Sequence, residues 1–185
     1  MNTTDKVILG IDPGTNIMGY GVISITDNKL KLIAAGVIDL SKIEDHHLKL
    51  KKIFERTVGL IEEYHPDELA IEAPFYGKNV QSMLKLGRAQ GVAIAAALSR
   101  TMSVNEDSPK KIKQSITGNG NASKEQVAAM LQSLLNFKEM PKHLDATDGL
   151  AAAVCHFFQN GNPAGTKKSF TGWKAFITEN PSRKL

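Results

Sequence analysis

Residues 6–23 read KVILGIDPGTNIMGYGVI, and the rest of the chain is organised around them. Lys6–Asp12 is a short apolar run that stops at Gly and Asp, the pattern of a buried strand. Asp12-Pro13-Gly14-Thr15-Asn16 is a turn in which Gly14 permits tight backbone. Gly19 and Gly21 let a second strand lie close to it. Gly19–Thr26 and Leu30–Leu40 alternate as two further strands about a turn at Asp27-Asn28-Lys29, which predicts an antiparallel meander. An acid therefore stands at the carboxyl end of the first strand, where open sheets place their sites.

Outward from this start, the remaining elements alternate. Leu48, Ile53, Phe54, Val58 and Ile61 recur at helical spacing, and His65-Pro66-Asp67 ends that helix. Glu68–Glu72 is a fourth strand, Asn79–Arg100 a long Ala-rich helix, and Met102–Asn105 a short fifth strand. Ser108 and Pro109 open a helix as cap and first residue. Ser123 and Gln126 form a capping-box pattern for the next. Asp145–Phe158 is the last helix. Gln159 begins a stretch of linker composition that leads into a basic tail.

The chain has 185 residues, 42% hydrophobic and 23% charged, which fits one globular domain and excludes a collagen, a coiled-coil rod or a wholly disordered chain. With Cys155 as its single cysteine it has no intrachain disulfide framework, in keeping with a reducing cytoplasm. The polar opening residues and the short apolar run after them do not form a secretory leader, and no stretch is long enough to span a membrane. Net charge is +4, and the 27 residues from Gln159 onward hold all of it, five basic groups against Glu179. Within the neutral remainder, Lys78–Lys124 holds eight basic residues against Glu106 and Asp107. Such a block suits a polyanion, because each phosphate contact releases counterions. A solvated basic surface is the alternative.

Four acids then fall at element ends: Asp12, Glu72, Asp145 and Asp148. The last two are three residues apart and share one helix face. Small apolar residues follow Asp148, so this helix packs closely on the sheet. Four gathered carboxylates repel one another and resist ionising, which divalent cations relieve. Oxygen ligands suit Mg²⁺ or Mn²⁺, and two such ions are the arrangement for phosphodiester displacement. An Asp-x-x-Asp at a helix start, taken alone, is a cap or a complement to the helix dipole. Taken alone, the turn after Asp12 also fits the actin-type ATPases, which use a second such loop and a second domain. No second loop of that type occurs here.

Four stretches together carry a more specific likeness: GIDPGTNIMGYGVI (10–23), AIEAPFYGKNVQSMLKLGRAQGVA (70–93), PKKIKQSITGNGNASKEQV (109–127) and LDATDGLAAAVCH (144–156). Over Val7 to His156 the chain resembles the RuvC-type Holliday junction resolvases. That resemblance implies a ribonuclease H-like α/β fold, a mixed five-stranded sheet with helices on both faces. It implies a nuclease domain at 1–158 and a basic C-terminal tail at 159–185, to which the family gives no role. By the same likeness, Asp12, Glu72, Asp145 and Asp148 are the catalytic, metal-binding acids. Mg²⁺ or Mn²⁺ is the cofactor, two ions per site. Phe75, Lys113 and Lys124 contact DNA.

The implied activity is metal-dependent, symmetric hydrolysis of four-way DNA junctions by a homodimer working beside a branch-migration complex of RuvA and RuvB type. A non-catalytic junction binder would have lost an acid, and all four are present. On its own residues, Phe75 either stacks on an unpaired base or tucks under its loop. Lys113 and Lys124 flank a Gly-Asn-Gly loop and are either phosphate contacts or plain surface charge. Gly87, Gly91 and Ala95 flatten one helix face, for packing on the sheet or against a twin helix. The histidines show no metal-ligand spacing, and Cys155 reads as buried and inert.

Overall fold

The computed structural model describes residues 6–74, 79–137, 141 and 143–160. Strand β1 (Lys6–Asp12) pairs antiparallel with β2 (Ile17–Thr26), and β2 with β3 (Lys29–Asp39). The β2–β3 connection is two residues, Asp27 and Asn28, both with positive φ (51° and 62°). This is the hairpin geometry whose twist matches that of the strands, and Asp and Asn tolerate it. Helix α1 (His46–Tyr64) follows, then β4 (Glu68–Glu72), α2 (Val80–Leu98) and β5 (Ser103–Asp107). The chain continues through α3 (Pro109–Thr117), α4 (Lys124–Leu135) and α5 (Asp145–Asn160). The five strands form one sheet in the order β3-β2-β1-β4-β5, and β4 lies parallel to both β1 and β5. Meander and mixed sheet are as expected from the sequence.

Strand alternation divides the core in two. Leu9, Ile11, Leu69 and Ile71 pack with Ile53 and Leu60 of α1 and Ala89 and Ala93 of α2. Ile8, Ile23 and Ala70 face the opposite way, onto Leu150 and Val154 of α5, Ile112 of α3 and Leu131 of α4. The parity of 8, 10 and 12 in β1, and of 70 and 72 in β4, assigns Asp12 and Glu72 to the α5 side.

Helix α5 lies very close to the sheet because the contact is made of glycines. A Cβ on Gly21 would stand 2.5 Å from Leu150 Cα, and one on Gly149 would stand 2.6 Å from Tyr20 Cα. A Cβ on Gly19 would strike the Asp145 carbonyl oxygen. Gly19 and Gly21 thus make room for α5, not for a neighbouring strand as the sequence suggested; the helix that fills the space lies over a hundred residues away. The Gly87–Gly91 face of α2, which the sequence left open between the sheet and a twin helix, loses the first of these alternatives. A Cβ at either position meets nothing within 4 Å, so this face does not pack on the sheet.

Local signals hold. Ser108 caps α3 with Pro109 behind it, and Ser123 and Gln126 complete the capping box of α4. Gly118, at φ 74°, ends α3 in the left-handed region. Gln159 is not linker: α5 continues through Asn160, and the Gln159 amide donates to Asp107 Oδ2 at 2.7 Å. Residues 161–185 of the expected tail, and Phe75, lie outside the described residues.

The glycine contact is directly testable. Gly21→Ala forces a methyl into the α5 backbone, and overpacking of this kind costs about 1–3 kcal/mol. For a chain of this size that lowers the melting temperature by about 2–12 °C. Gly59→Ala, in open space on α1, should not lower it. Calorimetry showing equal melting temperatures for the two variants would contradict the close approach.

Candidate active site

Parallel pairing of β1 with β4 aligns Ile11 with Ile71, so the next residues, Asp12 and Glu72, stand side by side at adjacent strand ends. The first turn of α5 supplies Asp145 and Asp148, and the bare backbone of Gly19 lets Asp145 rest directly on the strand opposite Asp12. Asp12, Glu72 and Asp148 line a cleft of about 340 Å³ together with Pro13, Lys113 and Lys124. Asp145 does not line that cleft, but it meets the same lysine as Asp148. The Lys124 ammonium donates to Asp145 Oδ1 at 3.1 Å and, by a very short contact, to Asp148 Oδ2.

The electrostatics follow from this crowding. Burial, then the charges of Glu72 and Asp148, push the Asp12 carboxyl up to about 8. Burial and Asp148 push Glu72 up to about 7, against the opposing pull of Lys124 and Lys113. Asp148 is raised by burial, in part offset by Lys124. Burial alone would lower the pKa of Lys124, but Asp148 and Asp145 more than offset it and hold the ammonium charged.

Other side chains brace the acids. The Lys49 ammonium of α1 donates to Thr15 O at 2.9 Å and Asn16 Oδ1 at 2.8 Å, tying down the turn that follows Asp12. Gln90 of α2 is buried and donates to Glu106 Oε2 at 2.8 Å, with a longer approach to the Glu72 carbonyl at 3.4 Å. The Ala73 N–H donates to the Asp107 carbonyl at 2.8 Å, which fixes the exit from Glu72. None of these had a signal in the sequence, because each partner is at least 16 residues away. Lys113 and Lys124 line the cleft, as does Pro74, while Phe75 lies outside the described residues.

The family model for crossover junction endodeoxyribonuclease RuvC matches residues 8–156. This chain belongs to the RuvC family. A curated RuvC from Cytophaga hutchinsonii is 66% identical over 98% of this chain and 89% of its own length. One from Bacteroides fragilis is 62% identical over 97% and 96%. Among solved structures, Thermus thermophilus RuvC in complex with Holliday junction substrate is 31% identical, with a TM-score of 0.77 over 84% of this chain and 94% of that one. The yeast mitochondrial resolvase Ydc2, at 15% identity and a TM-score of 0.62 over 83% of this chain and 80% of that one, shares the fold.

Within the RuvC fold the acids are charged against one another, and this has a thermal signature. A carboxyl raised in the folded state binds more protons there than when unfolded. Its stabilising effect is complete below its ordinary value of 3.8 and is lost as pH rises through about 8. Without divalent cations, the melting temperature should therefore fall between about pH 4 and pH 8. Asp12→Asn removes one of the opposed charges. It should melt higher than the parent at about pH 8, and the gap should close near pH 4. A gap independent of pH would mean that Asp12 does not titrate against its neighbours.

Proposed function

We propose that this chain is a structure-selective endonuclease that resolves four-way DNA junctions by paired hydrolytic nicks in recombination and repair. The observation that carries this reading is the gathering of Asp12, Glu72, Asp148, Lys113 and Lys124 at one cleft, with Asp145 joined to Asp148 through Lys124, in a member of the RuvC family. A non-catalytic junction binder would have no need to hold Asp12 and Glu72 against their own repulsion.

The donor set fits a hard divalent cation. Asp12, Glu72, Asp145 and Asp148 offer only oxygen, at high negative charge, as Mg²⁺ and Mn²⁺ prefer. Lys124 already supplies positive charge to two of them. Among the described residues no three acidic, histidine or cysteine side chains converge closely enough to hold an ion as they stand. Asp145 and Asp148 must therefore turn from Lys124 to a cation. When bound, a pair of such ions makes water nucleophilic near neutral pH and neutralises charge on the leaving 3′ oxygen. The chain's own residues then bind and orient. Lys113 and Lys124 meet phosphates, and Phe75, the residue after Pro74, stacks on an unpaired base at the exchange point. The products carry 5′-phosphate and 3′-hydroxyl ends.

The working unit is a homodimer, matching two-fold protein to pseudo-two-fold junction. Val80, Leu84 and Leu98 are exposed large apolar side chains of α2, at 63, 53 and 59%. With Gly87, Gly91 and Ala95 they make one stripe with the four- and three-residue spacing of a helix–helix seam. The glycines at its centre let a second α2 approach closely. The protein works in the cytoplasm with a branch-migration complex of RuvA and RuvB type. Among the described residues no helix is long and apolar enough to cross a membrane.

Incubation with a labelled synthetic four-way junction tests the activity. With Mg²⁺ the protein should nick opposite strands symmetrically, and with EDTA it should not. Asp12→Asn, Glu72→Gln, Asp145→Asn and Asp148→Asn should each lower cleavage at least a hundredfold while junction binding persists. Any of the four cleaving at the parent rate would remove that acid from the site. The seam is tested separately by sedimentation. Gly91→Arg puts a long cation on an open face, so the fold should be kept while dimerisation weakens at least tenfold. An unaltered dimer would move the interface off α2.

A further inference from the structure

Beside the cleft lies a second cavity, about 230 Å³, on the other side of the Pro13–Gly14 turn. Its walls come from three separate elements. The turn after Asp12 supplies Thr15 and Asn16, the start of α1 supplies His46 and Lys49, and the first two turns of α2 supply Ser82 and Lys85. Glu44 is the one acid in its lining. We infer that this cavity is a second DNA-phosphate site, holding the backbone of the cleaved strand next to the scissile phosphate. The inference rests on the junction-nuclease reading above and adds a subsite to it.

Four observations support it. First, the chemistry is that of an anion site: two ammonium groups, a hydroxyl-bearing Ser82 and Thr15, an amide and an imidazole around a space of ligand size. Second, the positive groups outnumber the negative. Arg88 adds to the field, since burial and then the charges of Arg88 and Lys85 hold the His46 imidazole below its ordinary value. Third, His46 belongs to the lining and its buried Nε2 has no hydrogen-bond partner among the described residues, so a turn of the ring into the cavity would give it a phosphate oxygen. Fourth, the site is built. Lys49 is held in place by Thr15 and Asn16, so the cavity and the Asp12 turn move as one piece.

The position agrees with the chemistry. Thr15 is three residues from Asp12, a reach of at most about 11 Å. Phosphates along one strand advance about 3.4 Å each along the duplex axis and stand farther apart through space, so the filled cavity would hold a phosphate no more than about three positions from the one cleaved. Leu86 lines the active cleft while Lys85, its neighbour on α2, lines this cavity, so one helix turn meets both.

The test is junction binding without cleavage, followed by fluorescence anisotropy in EDTA at several salt concentrations. The proteins are the parent, Lys85→Ala, Ser82→Glu and Lys31→Ala. Lys31 is exposed on the edge strand β3, paired with Ser24 at the end of the sheet away from Asp12, and it controls for loss of one positive charge. Lys85→Ala should bind several-fold more weakly, with a log–log salt slope shallower by about 0.9. Ser82→Glu should bind at least tenfold more weakly, and Lys31→Ala should match the parent. Junctions carrying a single neutral methylphosphonate then locate the contact. The parent should lose affinity at one position within about three phosphates of the cut, and Lys85→Ala should show no further loss there.

The same methylphosphonate profile for Lys85→Ala and the parent would overturn the inference. So would Lys85→Ala and Lys31→Ala agreeing in both affinity and slope. A parent protein with no preference for junction over duplex would instead overturn the nuclease reading itself, a separate and recognisable result.

Discussion

Like charges held together out of water are the constraint on which this molecule is built. Asp12 and Glu72 sit at the ends of adjacent parallel strands, and α5 lowers two more aspartates onto the same spot. Isolated carboxylates would not adopt this arrangement, since burial and mutual repulsion both oppose ionisation. The fold supplies what holds them there. Two faces of apolar packing clamp the sheet, and a glycine-on-glycine contact draws α5 against β1 and β2. Site and core are thus coupled: the contact that positions Asp145 also seats Leu150 in the interior.

Lys124 resolves part of the conflict. Its ammonium bridges Asp145 and Asp148 at the opening of the site and leaves the more buried Asp12 and Glu72 with raised pKa values. The outer pair is thus neutralised by an ammonium, while the inner pair, more deeply buried, holds its protons to higher pH than ordinary carboxyls do. Lys113, in the same cleft, adds positive potential that opposes the rise of the Glu72 pKa.

A second shell of contacts makes the site rigid from three directions. Lys49 fixes the turn after Asp12, and Asp107 receives the Ala73 N–H after Glu72. The Asp107 carboxylate in turn takes the amide of Gln159 and the ammonium of Lys111, which ties the far end of α5 to β5. On the opposite face, α2 turns an apolar stripe outward and its basic flank toward the Asp12 turn. One helix therefore contributes to both the cleft, through Leu86, and the neighbouring cationic cavity, through Ser82 and Lys85.

Much of this was written in the sequence. The strand at Lys6–Asp12, the meander after it, the caps Ser108 and Ser123 and the four acids are local patterns, set by side-chain alternation and short-range hydrogen bonds. Chemistry was legible too, because four acids at element ends admit few uses. What the linear chain could not disclose were contacts between distant segments. Gly19 and Gly21 read as room for a strand, yet their space is filled by α5, and only the packed sheet determines which element arrives. Gln159 has linker composition but remains helical because Asp107, 52 residues earlier, accepts its amide. The pairing of Lys124 with Asp145 and Asp148, and the cavity that joins His46 to Ser82, arise where separate helices converge. Local rules determine each element; tertiary packing alone decides which charges meet and how far from water they lie.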